Sequence, residues 1–299
     1  MNALYDLKNR IYTDLIVQKE HEKNECKALC QMVERSVIPG KTILLADRNY
    51  ESCNNLAHLE KKGWNYLIRI CDKDRAAAYG ISLPDQPEFD ISVRLTLGRL
   101  TRRQLEARGI TVPQPYYRVP PSMVFDFLDP VSPDFYEISF RVVRLLTDGG
   151  SMETLITNLD PQQFPVSALG RLYAMRWGIE TSFRSLKYAV GLIHLHAKKP
   201  ELVLQEIFSS FLVFNLPRPP PGPWIPPMAR PNTNVTSISP MPSLPVVLSC
   251  GIPLPIRSRF SGESCSRSVL TGHLQNQKSR VTVFPPATPP RADPSPISF

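Results

Sequence analysis

The sequence predicts an α/β protein: a mixed β-sheet with flanking helices and a β-rich insertion, followed by a disordered Pro-rich tail. Three observations carry the prediction. Residues 1–18 alternate as two strand-like pieces, residues 42–46 form an uninterrupted apolar run between two helical stretches, and the composition changes abruptly after Asn215. An apolar run of that kind is what a strand covered on both faces requires.

The opening pieces, Ala3-Leu4-Tyr5-Asp6-Leu7 and Arg10-Ile11-Tyr12-Thr13-Asp14-Leu15-Ile16-Val17, joined at Lys8-Asn9, read as a β-hairpin. From 20 to 35, Cys26, Leu29, Cys30 and Val33 recur at helical spacing, and Pro39-Gly40 ends the stretch. Thr42-Ile43-Leu44-Leu45-Ala46 then reads as a central strand, which puts Asp47 at its carboxyl end. A second helix over 51–62 is closed by Gly63, and Trp64-Asn65-Tyr66-Leu67-Ile68-Arg69-Ile70 is another strand. Residues 1–71 form the first part of the domain.

Across 72–166 prolines at 84, 87, 113, 115, 120 and 121 break this rhythm, while 135–146 and 154–159 look like strands around Asp148-Gly149-Gly150. This is the β-rich insertion. Helical periodicity returns at Ser167, an expected N-cap, and runs as one helix to Gly191, an expected stop. A further helix over 201–215 completes the domain, so that 167–215 belongs with 1–71.

Of 35 Lys and Arg against 27 Asp and Glu, a net +8, residues 216–299 hold 8 basic side chains and only Glu263 and Asp293 as acids, so this tail carries 8 − 2 = +6. The same segment holds 19 of the 31 prolines. The basic pI is therefore mostly a tail property and alone points only weakly to nucleic acid. Six cysteines do not make a disulfide scaffold in 299 residues, which fits a reduced, cytoplasmic protein. No secretory signal opens the chain, and the most apolar run, 207–216, is about half the length a membrane helix needs.

Plotted at about 100° per residue, the 167–191 helix separates two stripes. Leu172, Met175, Ile179, Phe183, Leu186 and Val190 make the core-facing one. Tyr173, Arg176, Glu180, Arg184 and Lys187 make the other, a carboxylate among three cations and a phenol. One reading is a solvated face with i,i+4 ion pairs; the other is a site that handles phosphates. Helix geometry does not choose between them.

The pattern Tyr173-x2-Arg176-x3-Glu180-x6-Lys187 resembles the Y-R-E-K signature of DDE-class transposases of the IS-four type. The surrounding residues Leu172-Tyr173-Ala174-Met175-Arg176-Trp177-Gly178-Ile179-Glu180-Thr181-Ser182-Phe183-Arg184-Ser185-Leu186-Lys187 look like that family's third catalytic block, and Ala46-Asp47-Arg48-Asn49-Tyr50-Glu51-Ser52 like its second. The resemblance covers roughly residues 1–215. It implies a ribonuclease-H-like fold and DNA cleavage and strand transfer, with two Mg²⁺ or Mn²⁺ ions held by three carboxylates. Asp47 and Glu180 match two of those acids, as catalytic residues and metal ligands; Arg176 and Lys187 match residues that grip phosphates, Tyr173 supports that contact, and Arg184 joins the DNA-binding set. The implied partner is DNA at transposon ends, with a homodimer in a transpososome, no membrane, and a nucleoid-associated location.

In the family the first aspartate lies on a strand that precedes the hairpin, and nothing in this sequence takes that place. Asp6 and Asp14 belong to other strands of the matched pattern. The expectation is therefore a degenerate fragment that lacks strand-transfer activity and the sheet's central strand, or a non-catalytic remnant that only binds DNA. The resemblance stops at Leu216-Pro217-Arg218, where the tail reads either as an out-of-frame extension or as a genuine disordered segment. Cys26-x3-Cys30 and His194-x-His196 lack a second pair at zinc spacing, so no zinc site is assigned.

Overall fold

Ile43-Leu44-Leu45-Ala46 carry no polar side chain, and such a run needs cover on both faces of its strand. The computed structural model describes residues 1–38, 41–70, 81–147, 150–216 and 245–251. In it these four residues form β3 (Ile43–Ala46), all of them buried. Alternation along the strand sends Ile43 and Leu45 into one core and Leu44 and Ala46 into another.

The hairpin is β1 (Asn2–Asp6) and β2 (Ile11–Ile16), paired antiparallel. There follow α1 (Glu25–Arg35), β3, α2 (Cys53–Lys62) and β4 (Asn65–Arg69), and β4 pairs parallel to β3 as a helical crossover allows. Gly63 closes α2 as expected: at φ 75° its N–H turns back to the carbonyls of Leu59 and Glu60. The expected stop of α1 at Pro39-Gly40 lies outside the described residues.

The insertion supplies β5 (Phe89–Gly98), a short α3 (Arg102–Glu106), β6 (Tyr116–Arg118), β7 (Phe135–Leu146) and β8 (Met152–Thr157). Because β8 pairs antiparallel with β4, these strands extend the same sheet. Next come α4 (Val166–Ala174), α5 (Trp177–Tyr188), α6 (Pro200–Asn215) and a last strand, β9 (Val246–Gly251). The sheet order is β2-β1-β9-β3-β4-β8-β7-β5-β6. Leu29, Met32, Leu56 and Leu59 of α1 and α2 pack in the core on one face, and Leu172, Ile179, Leu186 and Phe211 of α4 to α6 in the core on the other. Trp64 and Tyr66 are fully buried, as core aromatics should be.

Two expectations are corrected. Residues 216–299 are not structureless throughout, because 246–251 form β9 between β1, to which it is antiparallel, and β3, to which it is parallel. The sheet thus has no gap at that position, and β1 and β3 are not open edges. Val246 and Leu248 enter one core and Val247 the other, each contributing about 1.5–3 kcal/mol on full burial. The local cue was the run Val246-Val247-Leu248 between Pro245 and Pro253; the surrounding proline-rich composition outweighed it.

The second correction concerns 167–191, which is two helices. Between α4 and α5 the N–H groups of Met175, Arg176, Gly178 and Ile179 bond three residues back, a tightened turn. Gly178 suits its position: a Cβ there would fall 2.6 Å from Leu7 Cδ1, so a larger residue would require the Leu7 side chain to shift. α4 begins at Val166 after Pro165, with no side-chain cap, instead of at a capping Ser167.

Candidate active site at the carboxyl end of β3

Asp47 follows the last residue of β3, where the chain leaves the sheet in extended conformation and its carboxylate caps a 3-10 turn over Arg48–Tyr50 by accepting the N–H of Asn49 at 2.9 Å. Burial pushes its carboxyl above the usual aspartate range, with the Asn49 N–H and the positive charge of Arg176 acting the other way. Asp47 and Arg176 therefore feel each other's charge, although they lie 129 positions apart by their numbering.

Tyr173, on the last turn of α4, is buried and its hydroxyl lies 3.4 Å from the carbonyl oxygen of Ala46, the residue before Asp47. Burial raises this phenol to about 12, so it stays protonated at neutral pH. Arg176 sits in the tightened turn. Its guanidinium lies over the rings of Tyr173, at 5.7 Å, and Trp177, at 5.2 Å, and donates to Glu180 Oε1 at 3.0 Å. Burial works against the Arg176 charge, and the nearby Tyr173, Glu180 and Asp47 more than offset it. Its Nε is buried without a hydrogen-bond partner among the described residues.

The structure thus brings Asp47, Tyr173, Arg176 and Glu180 to one corner. The i,i+4 pairing of Arg176 with Glu180 is real and only partly solvated: the Arg176 side chain is 13% exposed and that of Glu180 40%. Arg184 is exposed and Lys187 half-buried further along α5, and neither takes part in a side-chain hydrogen bond or ion pair among the described residues. Lys187 is seven residues beyond Glu180, about 10 Å along the helix axis.

Asp6 and Asp14 do not join this corner. Asp6 pairs in register with Val247 and hence with Leu44, three residues short of Asp47 and so about 10 Å away along the strand. Its carboxylate accepts the N–H groups of Lys8, at 2.9 Å, and Asn9, at 3.0 Å, and fixes the hairpin turn. Asp14 is held by Arg35, whose Nε donates to it at 2.7 Å.

Two residues at the corner had no cue in the helix pattern. Ala46 pairs with Ile68, so Arg69 follows on β4 as Asp47 follows on β3, and Arg69 pairs with Glu153 of β8 at 3.5 Å. Both charges act on the Tyr173 phenol. The only available signal was a charge at the end of the apolar run 66–68. On the other side, Cys250 follows Ser249 of β9, the partner of Ala46. No acid occurs in Val246-Val247-Leu248-Ser249-Cys250-Gly251.

The donor set does not suit a pair of divalent cations. Glu180 gives one oxygen to Arg176 and Asp47 one to a backbone N–H, and among the described residues no three His, Cys, Asp or Glu side chains gather where a metal ion could be held. What the corner offers is a partly buried guanidinium whose Nε is an unused donor, beside two carboxylates and a phenol.

Residues 1–216 match the protein family described as the transposase DDE domain. Over 84 residues the chain is 34% identical to the transposase InsG for insertion sequence element IS4 of Escherichia coli (strain K12), a stretch covering 27% of this chain and 19% of that protein. The matched stretch is thus under a fifth of that relative's length. None of the described helices is long and apolar enough to cross a membrane.

Proposed function

Since this chain belongs to the DDE transposase family, of the IS4 insertion-sequence type, we propose that residues 1–216 with β9 are a ribonuclease-H-like transposase domain that grips DNA phosphates but does not complete strand transfer. The observation that carries the reading is Arg176. A guanidinium this buried, held over two rings and left with an unpartnered Nε, is preorganised for a phosphate oxygen. Arg184 and Lys187 extend the positive side chains along α5 to follow the DNA backbone.

The family's chemistry, cleavage and joining of DNA ends, uses divalent ions held by three acids. Asp47 and Glu180 supply two. The strand beside Asp47 is β9, which brings Ser249 and Cys250 to that level and no carboxylate. Two acids, one of them tied to Arg176, hold such ions weakly. On this reading the domain binds DNA without completing strand transfer, and its assembly on transposon ends as a homodimer belongs to the same proposal.

Mn²⁺-dependent nicking of a duplex that carries the element's end tests this, with the chain compared against Glu180→Gln. Binding of the duplex without nicking by either folded protein is the expected result. Nicking by the unaltered chain that Glu180→Gln abolishes overturns it, because a third acid would then be completing the site.

A further inference from the structure

One histidine of α2 stands between two acids that belong to different parts of the chain. His58 is buried, with Nε2 2.9 Å from Asp126 Oδ2 and Nδ1 3.1 Å from Glu34 Oε1. Glu34 lies on α1, whereas Asp126 lies in the connection between β6 and β7, within the insertion. The ring thus joins the insertion to the two helices that cover one face of the sheet.

The segment that brings Asp126 here is shaped independently of the ring. Arg99, buried just after β5, donates to the carbonyl oxygens of Pro120, Met123, Phe125 and Leu128, and Phe125 and Leu128 enter the core. Asp126 and Phe127 form the tip that meets α2. The Asp126 N–H donates to Asn54 Oδ1 at 2.9 Å, Asn54 Nδ2 donates back to Asp126 Oδ2 at 2.8 Å, and the Phe127 ring meets His58 edge-on with centroids 4.9 Å apart.

A neutral imidazole has one N–H and one lone pair. Whichever nitrogen keeps the lone pair, here it faces a carboxylate oxygen; the imidazolium instead has an N–H on each side and a charge that attracts both acids. Nδ1 has no hydrogen-bond partner among the described residues, so Glu34 acts on it through charge. The other ionisable groups around the ring come from every element packed on it. Lys61 of α2 lies over the Phe127 ring at 5.6 Å, Lys62 donates to the Glu34 carbonyl oxygen at 3.0 Å, and Arg99 acts on Asp126. Cys30 of α1 donates to Asn55 Oδ1 at 3.0 Å, and its thiol is pushed up to about 12, chiefly by burial. The Asn54 amide, and after it the His58 ring, hold the Asp126 carboxyl below the usual aspartate range. This thiol and this carboxyl therefore keep their charge states where a histidine changes its own, between about pH 5 and 8.

We propose that His58 is a pH-sensitive latch: protonated, it ties the 126–127 tip of the insertion to α1 and α2, and deprotonated, it loosens that tip while Arg99 keeps the rest of the segment in place. The latch does not depend on the DNA-binding reading. Protection that the charged ring gives the tip is complete at the acid end of the histidine range and is lost as pH rises through it.

Hydrogen exchange of the Asp126 amide, followed by NMR in the full chain from about pH 5.5 to 8 and corrected for the intrinsic pH dependence of exchange, tests the latch. Its protection should fall by about two- to fivefold across that range, as suits ion pairs with partly exposed acids, while the Met123 amide, which bonds to the Pro120 carbonyl oxygen, keeps its protection. His58→Gln retains a polar side chain without a titratable charge, and in it the Asp126 protection should not vary with pH. Glu34→Gln alters an acid whose side chain is 58% exposed, so it keeps the test open if His58→Gln does not fold, and it should shrink the fall. Protection in the unaltered chain that is flat or rises with pH, an equal fall at Met123, or an undiminished fall in either folded variant overturns the proposal.

Discussion

The hydroxyl of Tyr173 lies 3.4 Å from the carbonyl oxygen of Ala46, so the end of α4, from which the chain turns into Arg176, is tied to the strand end that carries Asp47. The contact is buried and long, and its net worth lies toward the lower end of the 0.5–1.5 kcal/mol typical of a hydrogen bond. Tyr173→Phe is expected to lower stability by about that amount in urea unfolding, with the fold retained. Since the phenol is pushed up to about 12, a spectrophotometric titration of the native protein should find it, with Tyr66, among the tyrosines that resist ionisation at ordinary alkaline pH, and Tyr173→Phe should lower the number of those resistant groups by one.

Asp47 should cost stability. Its native carboxyl is raised by burial, so the folded state holds a proton more readily than the unfolded state does. Stability contributed by this group is thus complete below the unfolded aspartate value of about 3.9 and falls as pH rises through the raised native value. Asp47→Asn keeps a capping side chain and removes the charge. Its melting temperature should exceed that of the unaltered protein at neutral pH, and the difference should vanish in acid; equal melting at both pH values would refute the assignment.

Glu180 accepts from Arg176 at 3.0 Å, and in the proposed DNA-binding role its charge would oppose an incoming phosphate. Without divalent ions, Glu180→Gln should therefore bind duplex DNA more tightly, by several-fold at low salt, with the gain shrinking as salt screens the charge. Fluorescence anisotropy measures it, and weaker binding by the variant would mean that Glu180 positions the arginine instead of competing for it.

Much of this corner was legible in the sequence for local reasons. The apolar run before Asp47 required a strand buried on both faces, and that placed the acid at its end. The spacing of Tyr173, Arg176 and Glu180 put them on one side of a helix, and the tight turn at 175–178 did not separate them because it still advances in helical sense. The break itself was not legible: it lies where Gly178 comes close to Leu7 of a hairpin far away in sequence. The Arg69–Glu153 pair depends on β4 and β8 being neighbours, and β9 on a slot formed by residues more than two hundred positions earlier. Each of these is decided by tertiary pairing, which no local pattern carries.

β9 also makes a plain stability prediction. Leu248 is fully buried, so Leu248→Ala should cost about 2–5 kcal/mol, the range for a core leucine. A loss this large, seen by chemical denaturation, requires the strand to be in the sheet. A change near zero would place residues 246–251 outside the folded core.

Phosphate binding by Arg176 is the central feature of the proposed function. The most direct measurement is the salt dependence of duplex DNA affinity for the unaltered chain, for Arg176→Ala, and for Arg171→Ala, an exposed arginine on α4 away from the described contacts. Loss of one phosphate contact should weaken binding uniformly across sequences and reduce the slope of log affinity against log salt by about 1. That reduction is expected for Arg176→Ala, with the slope unchanged for Arg171→Ala. Equal slopes for all three proteins would contradict it.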